Sequence, residues 1–148
     1  MKVKIKKILC PVDFSKNSEH SIRYAVTLAE TFDAELLLIH VVDSNKTVMV
    51  PGDMIQQIDE HYAERLENLA EETRETYNEV SIRLIFGTPF LEIIRLARAE
   101  NANMIVMATH GRTGLAHMLI GSVAEKVVRM APCPVLTVRH PEYEFQMP

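Results

Sequence analysis

Short apolar runs alternate along the chain with longer segments in which apolar residues recur every three or four positions. The short runs have the length and composition of β-strands, and the longer segments have the periodicity of amphipathic helices. Five strands are predicted in this way, at Ile5–Cys10, Glu35–Val42, Val80–Phe86, Ala102–Ala108 and Pro134–Val138. Some runs are almost continuously apolar, as from Leu36 to Ile39, which is typical of parallel strands covered on both faces.

Four helices are predicted between the strands, each with one apolar stripe. They are Ser18–Asp33, Asp53–Tyr77, a helix that follows Thr88 with Pro89 in its first turn, and a last helix with Leu119, Val123, Val127 and Met130 on its stripe. Ser15 or Asn17 can cap the first helix. Asp53 and Gln56 have the spacing of a capping box at the start of the second.

The alternation of strands and helices predicts a doubly wound open parallel sheet of five strands with helices on both faces. The length predicts that residues 1–148 form one domain. Ligands of such sheets bind beyond the carboxyl ends of the strands. The longest connection without periodicity, Asp43–Gly52, follows a strand end, where functional loops often lie.

Composition narrows the classes of protein. A net charge of −4 argues against a protein that binds nucleic acid. No apolar run approaches the roughly 20 residues of a membrane helix, and the run from Ile8 to Cys10 is too short for a signal peptide. We therefore expect a cytoplasmic protein with no membrane partner. The two cysteines, Cys10 and Cys133, have no metal-ligand or disulfide pattern and are predicted to be reduced core residues at strand ends.

Glycines concentrate after the fourth strand. Three of the five in the chain, Gly111, Gly114 and Gly121, fall within eleven residues, and Gly121-Ser122 directly precedes the last helical stripe. Glycine lets backbone N–H groups approach an anion, and a helix N-terminus favours phosphate. Arg112 adds a cation. These residues predict a phosphate cradle, and the alternative interpretation is a glycine-rich turn that only allows close packing. The phosphate-loop and dinucleotide-binding glycine patterns are absent from the sequence.

Four segments resemble the ATP-binding branch of the universal stress protein family: Ile8–Ser15, Met107–Leu115, Ile120–Arg129 and Ala131–Val138. The resemblance extends from about Lys6 to Arg139. It implies the strand order 3-2-1-4-5, which places the first and fourth strands side by side. The turn at Asp13 and the loop at Gly111 would then face each other across one crevice.

The family's phosphate pattern, Gly-x2-Gly-x9-Gly-Ser/Thr, falls on Ala108, Gly111, Gly121 and Ser122. Ala108 departs from the pattern, because the family has glycine there. If the position needs a positive φ, a non-glycine residue costs about 1 kcal/mol. If the position needs only a small side chain, alanine suffices.

The resemblance also implies roles for individual residues. Asp13 would accept hydrogen bonds from ribose hydroxyls, Val41 would meet adenine through its backbone, Pro11 would lie near the nucleoside, and Ser122 would donate to phosphate. The alternatives are a turn or cap aspartate, a core valine and a helix-capping serine. The full predicted nucleotide-binding set is Pro11, Asp13, Val41, Ala108, Thr109, His110, Gly111, Arg112, Thr113, Gly114, Gly121, Ser122, Val123 and Ala124.

No catalytic residue and no metal ligand is predicted. His110 in a turn and His40 at a strand end are interpreted as structural or exposed. The carboxylates of the second helix are interpreted as its solvated face: Asp59, Glu60, Glu64, Glu67, Glu71 and Glu72. The predicted function is an ATP-binding stress-response or signalling module, with or without Mg²⁺, that acts on an unknown protein partner. A slow ATPase or phosphotransferase using the same cleft, and a purely structural dimer with a vestigial pocket, are the alternatives.

A homodimer is predicted through the fifth strand. The implied strand order places this strand at the sheet edge, where Val135, Leu136 and Val138 make it apolar. Unpaired backbone groups on an apolar edge favour antiparallel pairing with a second copy. The competing interpretation is that the tail, Pro141–Pro148, folds back and covers the edge of a monomer.

Overall fold

The computed structural model describes residues 1–111 and 119–142. Strands and helices alternate through this part of the chain, apart from one short extra helix after the second strand. In chain order the elements are β1 (Lys7–Pro11), α1 (Lys16–Phe32), β2 (Glu35–Asp43), α2 (Ser44–Thr47), α3 (Gly52–Arg74), β3 (Val80–Gly87), α4 (Pro89–Ala99), β4 (Met104–Ala108), α5 (Ser122–Met130) and β5 (Val135–Val138).

The strands form one parallel sheet in the order β3-β2-β1-β4-β5, which confirms the predicted fold class and the order that the family resemblance implies. Strand β1 pairs with β2 along its whole length, from Lys7 opposite Glu35 to Pro11 opposite Ile39. Its other edge pairs with β4. The chain therefore winds first to one side of β1 and then to the other, which leaves a crevice at the carboxyl ends of β1 and β4.

Side chains alternate between two buried clusters, one on each face of the sheet. In β1, Ile8 and Cys10 pack in one cluster and Leu9 packs in the other. Helices α1 and α3 cover the first cluster, and α4 and α5 cover the second. The Cys10 thiol is free and fully buried, and this burial raises its pKa to about 12. Within the described residues, no helix combines the length and the apolar character needed to cross a membrane.

The start of α3 differs from the prediction. The helix begins at Gly52, its N-cap is Pro51, and no side chain bonds to the free N–H groups there. The predicted capping box of Asp53 and Gln56 is therefore wrong, because both residues already lie inside the first turns. The Gln56 amide instead donates to Glu60 Oε1 at 3.2 Å, one turn further along the helix.

Two other helix predictions need correction. The connection after β2 contains the short helix α2, which Asp43 caps by accepting a hydrogen bond from the Asn45 N–H at 3.0 Å. Leu119 is not on the stripe of the last helix, because α5 begins only at Ser122, and Leu119 is 63% exposed. One of the two caps predicted for the first helix is confirmed, since the Ser15 hydroxyl accepts a hydrogen bond from the Ser18 N–H.

Candidate functional site

A cleft of about 930 Å³ opens beyond the carboxyl ends of β1, β2 and β4. Its inner wall consists of the turn after β1, the end of β2, the loop after β4 and the first turn of α5. Its outer wall consists of α2 and the first half of α3. The volume lies within the usual range of sites for small molecules and cofactors.

The cleft brings together predicted site residues that are up to 113 positions apart in the sequence. The predicted residues that the structure describes all line it: Pro11, Asp13, Val41, Ala108, Thr109, His110, Gly111, Gly121, Ser122, Val123 and Ala124. The other three, Arg112, Thr113 and Gly114, lie outside the described residues. The adjacency of β1 and β4 is what places the two halves of this set side by side.

Asp13 organises the turn after β1. Its Oδ1 atom accepts hydrogen bonds from the Ser15 N–H at 3.0 Å and from the Ser15 hydroxyl. The Asp13 N–H donates to the Ser18 hydroxyl at 3.3 Å, and between them Phe14 adopts a left-handed φ of 62°. Asp13 therefore has the turn role that the alternative interpretation assigned to it, and its side chain also lines the cleft.

Gly111 lies directly against Asp13. A Cβ atom at residue 111 would lie only 2.7 Å from Asp13 Oδ2, so any side chain there would displace the carboxylate. The Asn17 amide of α1 donates to the Gly111 carbonyl at 3.4 Å. The turn after β1 and the loop after β4 thus meet across the crevice, as the resemblance implies.

Gly121 anchors the start of α5 to the loop after β4. Its N–H donates to the Thr109 carbonyl at 2.6 Å, and a Cβ atom at residue 121 would approach the same oxygen to 3.0 Å. Gly121 occupies the N-cap position without a side-chain cap. The capping role considered for Ser122 is therefore wrong, since Ser122 is the first helical residue.

The first turn of α5 gives the cleft an electropositive end. Ser122, Val123 and Ala124 form this turn and line the cleft. Their backbone N–H groups precede the first intrahelical bond, from the Glu125 N–H to the Gly121 carbonyl. Such groups, together with the helix dipole, favour an anion such as phosphate.

Val41 lies where the ladder between β1 and β2 has ended. The last described backbone bond of that ladder runs from the Val12 N–H to the Ile39 carbonyl at 2.8 Å. Backbone groups of Glu35 and Ile39 form hydrogen bonds with the segment that contains β1. Because successive residues of a strand direct their backbone groups to opposite sides, the N–H and carbonyl of Val41 also point to the β1 side. There they face the cleft rather than a continuing strand.

The His40 side chain takes the place of a further backbone hydrogen bond between β2 and the segment after β1. Its Nδ1 atom lies 2.7 Å from the Val12 carbonyl, which can only accept, so Nδ1 carries the hydrogen. The ring is buried and packs between Phe14 and Tyr62, with ring centroids 4.6 and 4.8 Å away. His110 is also buried, with Nδ1 2.9 Å from the Thr109 hydroxyl. Both histidines therefore have structural surroundings.

Ala108 is the last residue of β4 and pairs with Val138 of β5. The described residues with positive φ do not include it. The position therefore has no left-handed backbone that would favour glycine. Alanine is accommodated there without strain.

Sequence reasoning missed the outer wall of the cleft. In the sequence, Ile58 and Tyr62 have only the helical spacing of an apolar stripe, and Lys46 and His61 belong to no recognisable site pattern. The full outer wall consists of Lys46, Thr47, Val50, Met54, Gln57, Ile58, His61 and Tyr62. Two features of the sequence point to this wall. The connection Asp43–Gly52 follows a strand end, and apolar residues recur at three- and four-residue spacing from Met54 onward.

The model of the universal stress protein family matches residues 4–139. Universal stress protein MJ0531 of Methanocaldococcus jannaschii is 36% identical over 144 residues, which cover 94% of this chain and 85% of that protein. A universal stress protein of Staphylococcus aureus strain USA300 is 37% identical over 142 residues, which cover 93% of this chain and 86% of that protein.

Solved structures agree with this match. The structure of protein MJ0577 has a TM-score of 0.86 at 30% identity and covers 95% of this chain and 99% of its own. Universal stress protein UspA from Lactobacillus plantarum has a TM-score of 0.83 at 23% identity, with coverages of 93% and 100%, and so shares the fold. The chain therefore belongs to the universal stress protein family.

Proposed function

We propose that this protein binds an adenine nucleotide, ATP, in the cleft, and that it acts as a nucleotide-dependent stress-response or signalling module. The observation that carries the proposal is the first turn of α5, which has no side-chain cap and lines the same cleft as the contact between Asp13 and Gly111. A ligand with phosphate at one end and hydroxyl groups nearby complements these two features.

The phosphate end of the ligand would lie at α5. The N–H groups of Ser122, Val123 and Ala124 would donate to phosphate oxygens, and the Ser122 hydroxyl would add a further donor. Gly121 supports this role indirectly, because its close approach to Thr109 holds the helix start against the loop after β4. Mg²⁺ would enter with the phosphates, and we assign no protein ligand to it.

The nucleoside end would lie between Asp13 and Val41. Oxygens of a carboxylate accept several hydrogen bonds, so Asp13 can bind ribose hydroxyls while it keeps its bonds to Ser15. The Val41 N–H and carbonyl offer a donor and an acceptor to the edge of a base. Pro11 and Met107 supply apolar surface in the same cleft.

Related structures support adenine as the base. One solved universal stress protein with this fold is a complex with cAMP, at a TM-score of 0.70 and 20% identity. Another, from Archaeoglobus fulgidus, is a complex with dAMP, at a TM-score of 0.66 and 20% identity. These ligands share the adenine ring and a phosphate with ATP.

Thermal melting and calorimetry with millimolar ATP, with and without Mg²⁺, test the proposal. A ligand at 100 times its Kd adds about 2.7 kcal/mol of stability, which raises the Tm of a domain of this size by about 5–10 °C. An absent shift together with absent binding heat would refute nucleotide binding. An equal response to GTP would refute the assignment of adenine while leaving phosphate binding in place.

We also propose a homodimer through β5, which lies at one edge of the sheet. Leu136 at the middle of this short strand is 38% exposed, and Val138 is buried. Antiparallel pairing of two such strands would satisfy both backbone edges and cover Leu136. The tail considered as a competing cover lies mostly outside the described residues.

Sedimentation at micromolar concentration tests the dimer. A mass near the monomer value of 16.8 kDa would refute it. If a dimer forms, Leu136→Lys is expected to weaken it and to leave ATP binding intact, because Leu136 is not among the residues that line the cleft. Val128→Lys is the matched control, since Val128 is exposed on α5 and does not lie on the proposed edge. The cytoplasmic location and the unknown protein partner stay predictions.

A further inference from the structure

Helix α3 carries two neighbouring stripes over its first three turns, and each faces a different concave surface. Met54, Gln57, Ile58 and His61 face the nucleotide cleft described above. The same spacing recurs two positions earlier in the sequence, and these residues line a second surface: Gly52, Ile55, Gln56 and Asp59. Phe86 of the edge strand β3 completes this second surface, which we call the α3–β3 groove. The groove has a volume of about 360 Å³.

The α3–β3 groove exposes large apolar side chains. Ile55 is 44% exposed and Phe86 is 40% exposed. Clustered exposed apolar side chains on a folded protein mark interaction sites more often than single ones do. The groove therefore has the apolar centre that a docking surface needs.

Negatively charged residues of α3 lie in and beside this apolar centre. Asp59 lines the groove, and Glu60 bonds to the lining residue Gln56. Asp53 and Glu64 lie within two turns of Glu60 on the same helix. In the part of the chain that the structure describes, none of these four carboxylates forms an ion pair. Further along α3, by contrast, Glu67 binds Arg74 at 2.9 Å.

We propose that the α3–β3 groove is a docking surface for a peptide segment of a partner protein, in which an aliphatic or aromatic side chain is flanked by lysine or arginine. The apolar anchor would cover Ile55 and Phe86, and the basic flanks would pair with the carboxylates at residues 59 and 60. A second copy of this chain is disfavoured as occupant, since it would oppose the same carboxylates to one another. An anionic membrane is disfavoured for the same electrostatic reason.

Fluorescence anisotropy with a labelled synthetic peptide tests the proposal without nucleotide, so its outcome is separate from that of the proposed function. The probe is a short peptide of leucine and lysine with the leucines at helical spacing, and its control replaces each lysine with glutamate. The lysine peptide is expected to bind with a micromolar Kd that increases as the salt concentration rises. The glutamate peptide is expected not to bind.

Variants locate the site. Ile55→Ser is expected to weaken binding about tenfold, which corresponds to about 1.4 kcal/mol. Val128→Ser, at a similarly exposed apolar residue of α5 on the other face of the sheet, is expected to leave the Kd unchanged. The double variant Asp59→Asn and Glu60→Gln is expected to weaken binding and reduce its salt dependence. The control double variant Glu71→Gln and Glu72→Gln changes the charge equally at the far end of α3 and is expected to have no effect.

Three results would overturn the proposal. The first is that the wild-type protein fails to bind the lysine peptide. The second is that the test and control variants lose affinity equally, because binding would then follow net charge alone. The third is that Ile55→Ser changes the sedimenting mass of the protein without peptide, because the groove would then be a contact between copies of this chain.

Discussion

Gly111 and Gly121 both lie where a side chain would meet another part of the protein. At residue 111 the obstacle is the Asp13 carboxylate, and at residue 121 it is the Thr109 carbonyl. Neither glycine has a positive φ. The close approach of two chain segments, rather than an unusual backbone conformation, thus explains why glycine suits these positions. The packing interpretation and the phosphate interpretation of the loop are compatible, because the packing holds the start of α5 in the cleft.

Gly121→Val is expected to lose ATP binding and to destabilise the fold. Its Cβ would press on the Thr109 carbonyl at 3.0 Å, and overpacking of this kind costs about 1–3 kcal/mol. Calorimetry with ATP and urea denaturation measure the two effects. Gly52→Ala is the control, since a Cβ at residue 52 meets no atom within 4 Å. Unchanged ATP affinity in Gly121→Val would contradict the proposed phosphate site.

Ala108→Gly is expected to leave the ATP affinity unchanged. Alanine is unstrained at the end of β4, so the family glycine offers no conformational relief there. Glycine within a strand costs about 0.5–1 kcal/mol of stability relative to alanine, which urea denaturation can resolve. A clear loss of affinity in Ala108→Gly would show that the loop binds its ligand differently from the family pattern.

At the scale of elements, a charged cluster ties the start of β1 to α4 and β2, at the end of the sheet opposite the cleft. Lys7 Nζ lies 2.8 Å from Glu100 Oε2 and 3.3 Å from Glu35 Oε2, and Arg83 of β3 lies 3.5 Å from Glu100 Oε1. The hydrogen bond from Lys7 lowers the pKa of Glu100 below its ordinary value, and the same bond raises the pKa of Lys7.

The contribution of Glu100 to stability is expected to depend on pH. Because the folded-state pKa is the lower one, the stabilisation is fully present above the ordinary value of 4.5 and is lost as the pH falls through the folded pKa. Glu100→Gln is therefore expected to cost at most about 1 kcal/mol near neutral pH, since the pair is partly exposed. Urea denaturation from neutral pH to below pH 4.5 should show that the free energies of unfolding of the wild type and the variant converge as the pH falls. A constant difference across that range would contradict this role.

At the scale of the whole molecule, α3 joins the two surfaces that we propose as binding sites. Its residues Met54 and Ile58 line the cleft, and its residues Ile55 and Asp59 line the α3–β3 groove. A ligand that repositions the start of this helix would therefore change both surfaces. This arrangement offers a physical route by which nucleotide occupancy could act on a partner protein.

ATP and the lysine peptide are accordingly expected to influence each other's binding. Saturating ATP should change the Kd of the peptide by a factor of about 5–150, and saturating peptide should change the Kd of ATP by the same factor. Anisotropy and calorimetry measure the two sides of this cycle. If neither Kd changes, the two sites are independent of each other. Each proposed site is then judged by its own binding experiment.

Near-neighbour patterns in the sequence were enough to predict the parallel α/β class and the approximate position of every strand. A strand or an amphipathic helix is recorded in the spacing of residues a few positions apart, and buried parallel strands such as β2 are apolar on both faces. The glycine pattern likewise located the start of α5 within the site. The strand order came from the family resemblance, because pairing between distant strands leaves no local pattern.

Other features depend on contacts between residues far apart in the sequence, and these emerged only from the fold. The contact of Gly111 with Asp13 and the extended backbone of Ala108 follow from how β4 lies beside β1. The capping box failed because the chain enters α3 at Pro51, before the pattern begins. The outer wall of the cleft and the α3–β3 groove require the position of α3 over the sheet. Periodicity shows that a helix has an apolar face, but packing determines what each face meets.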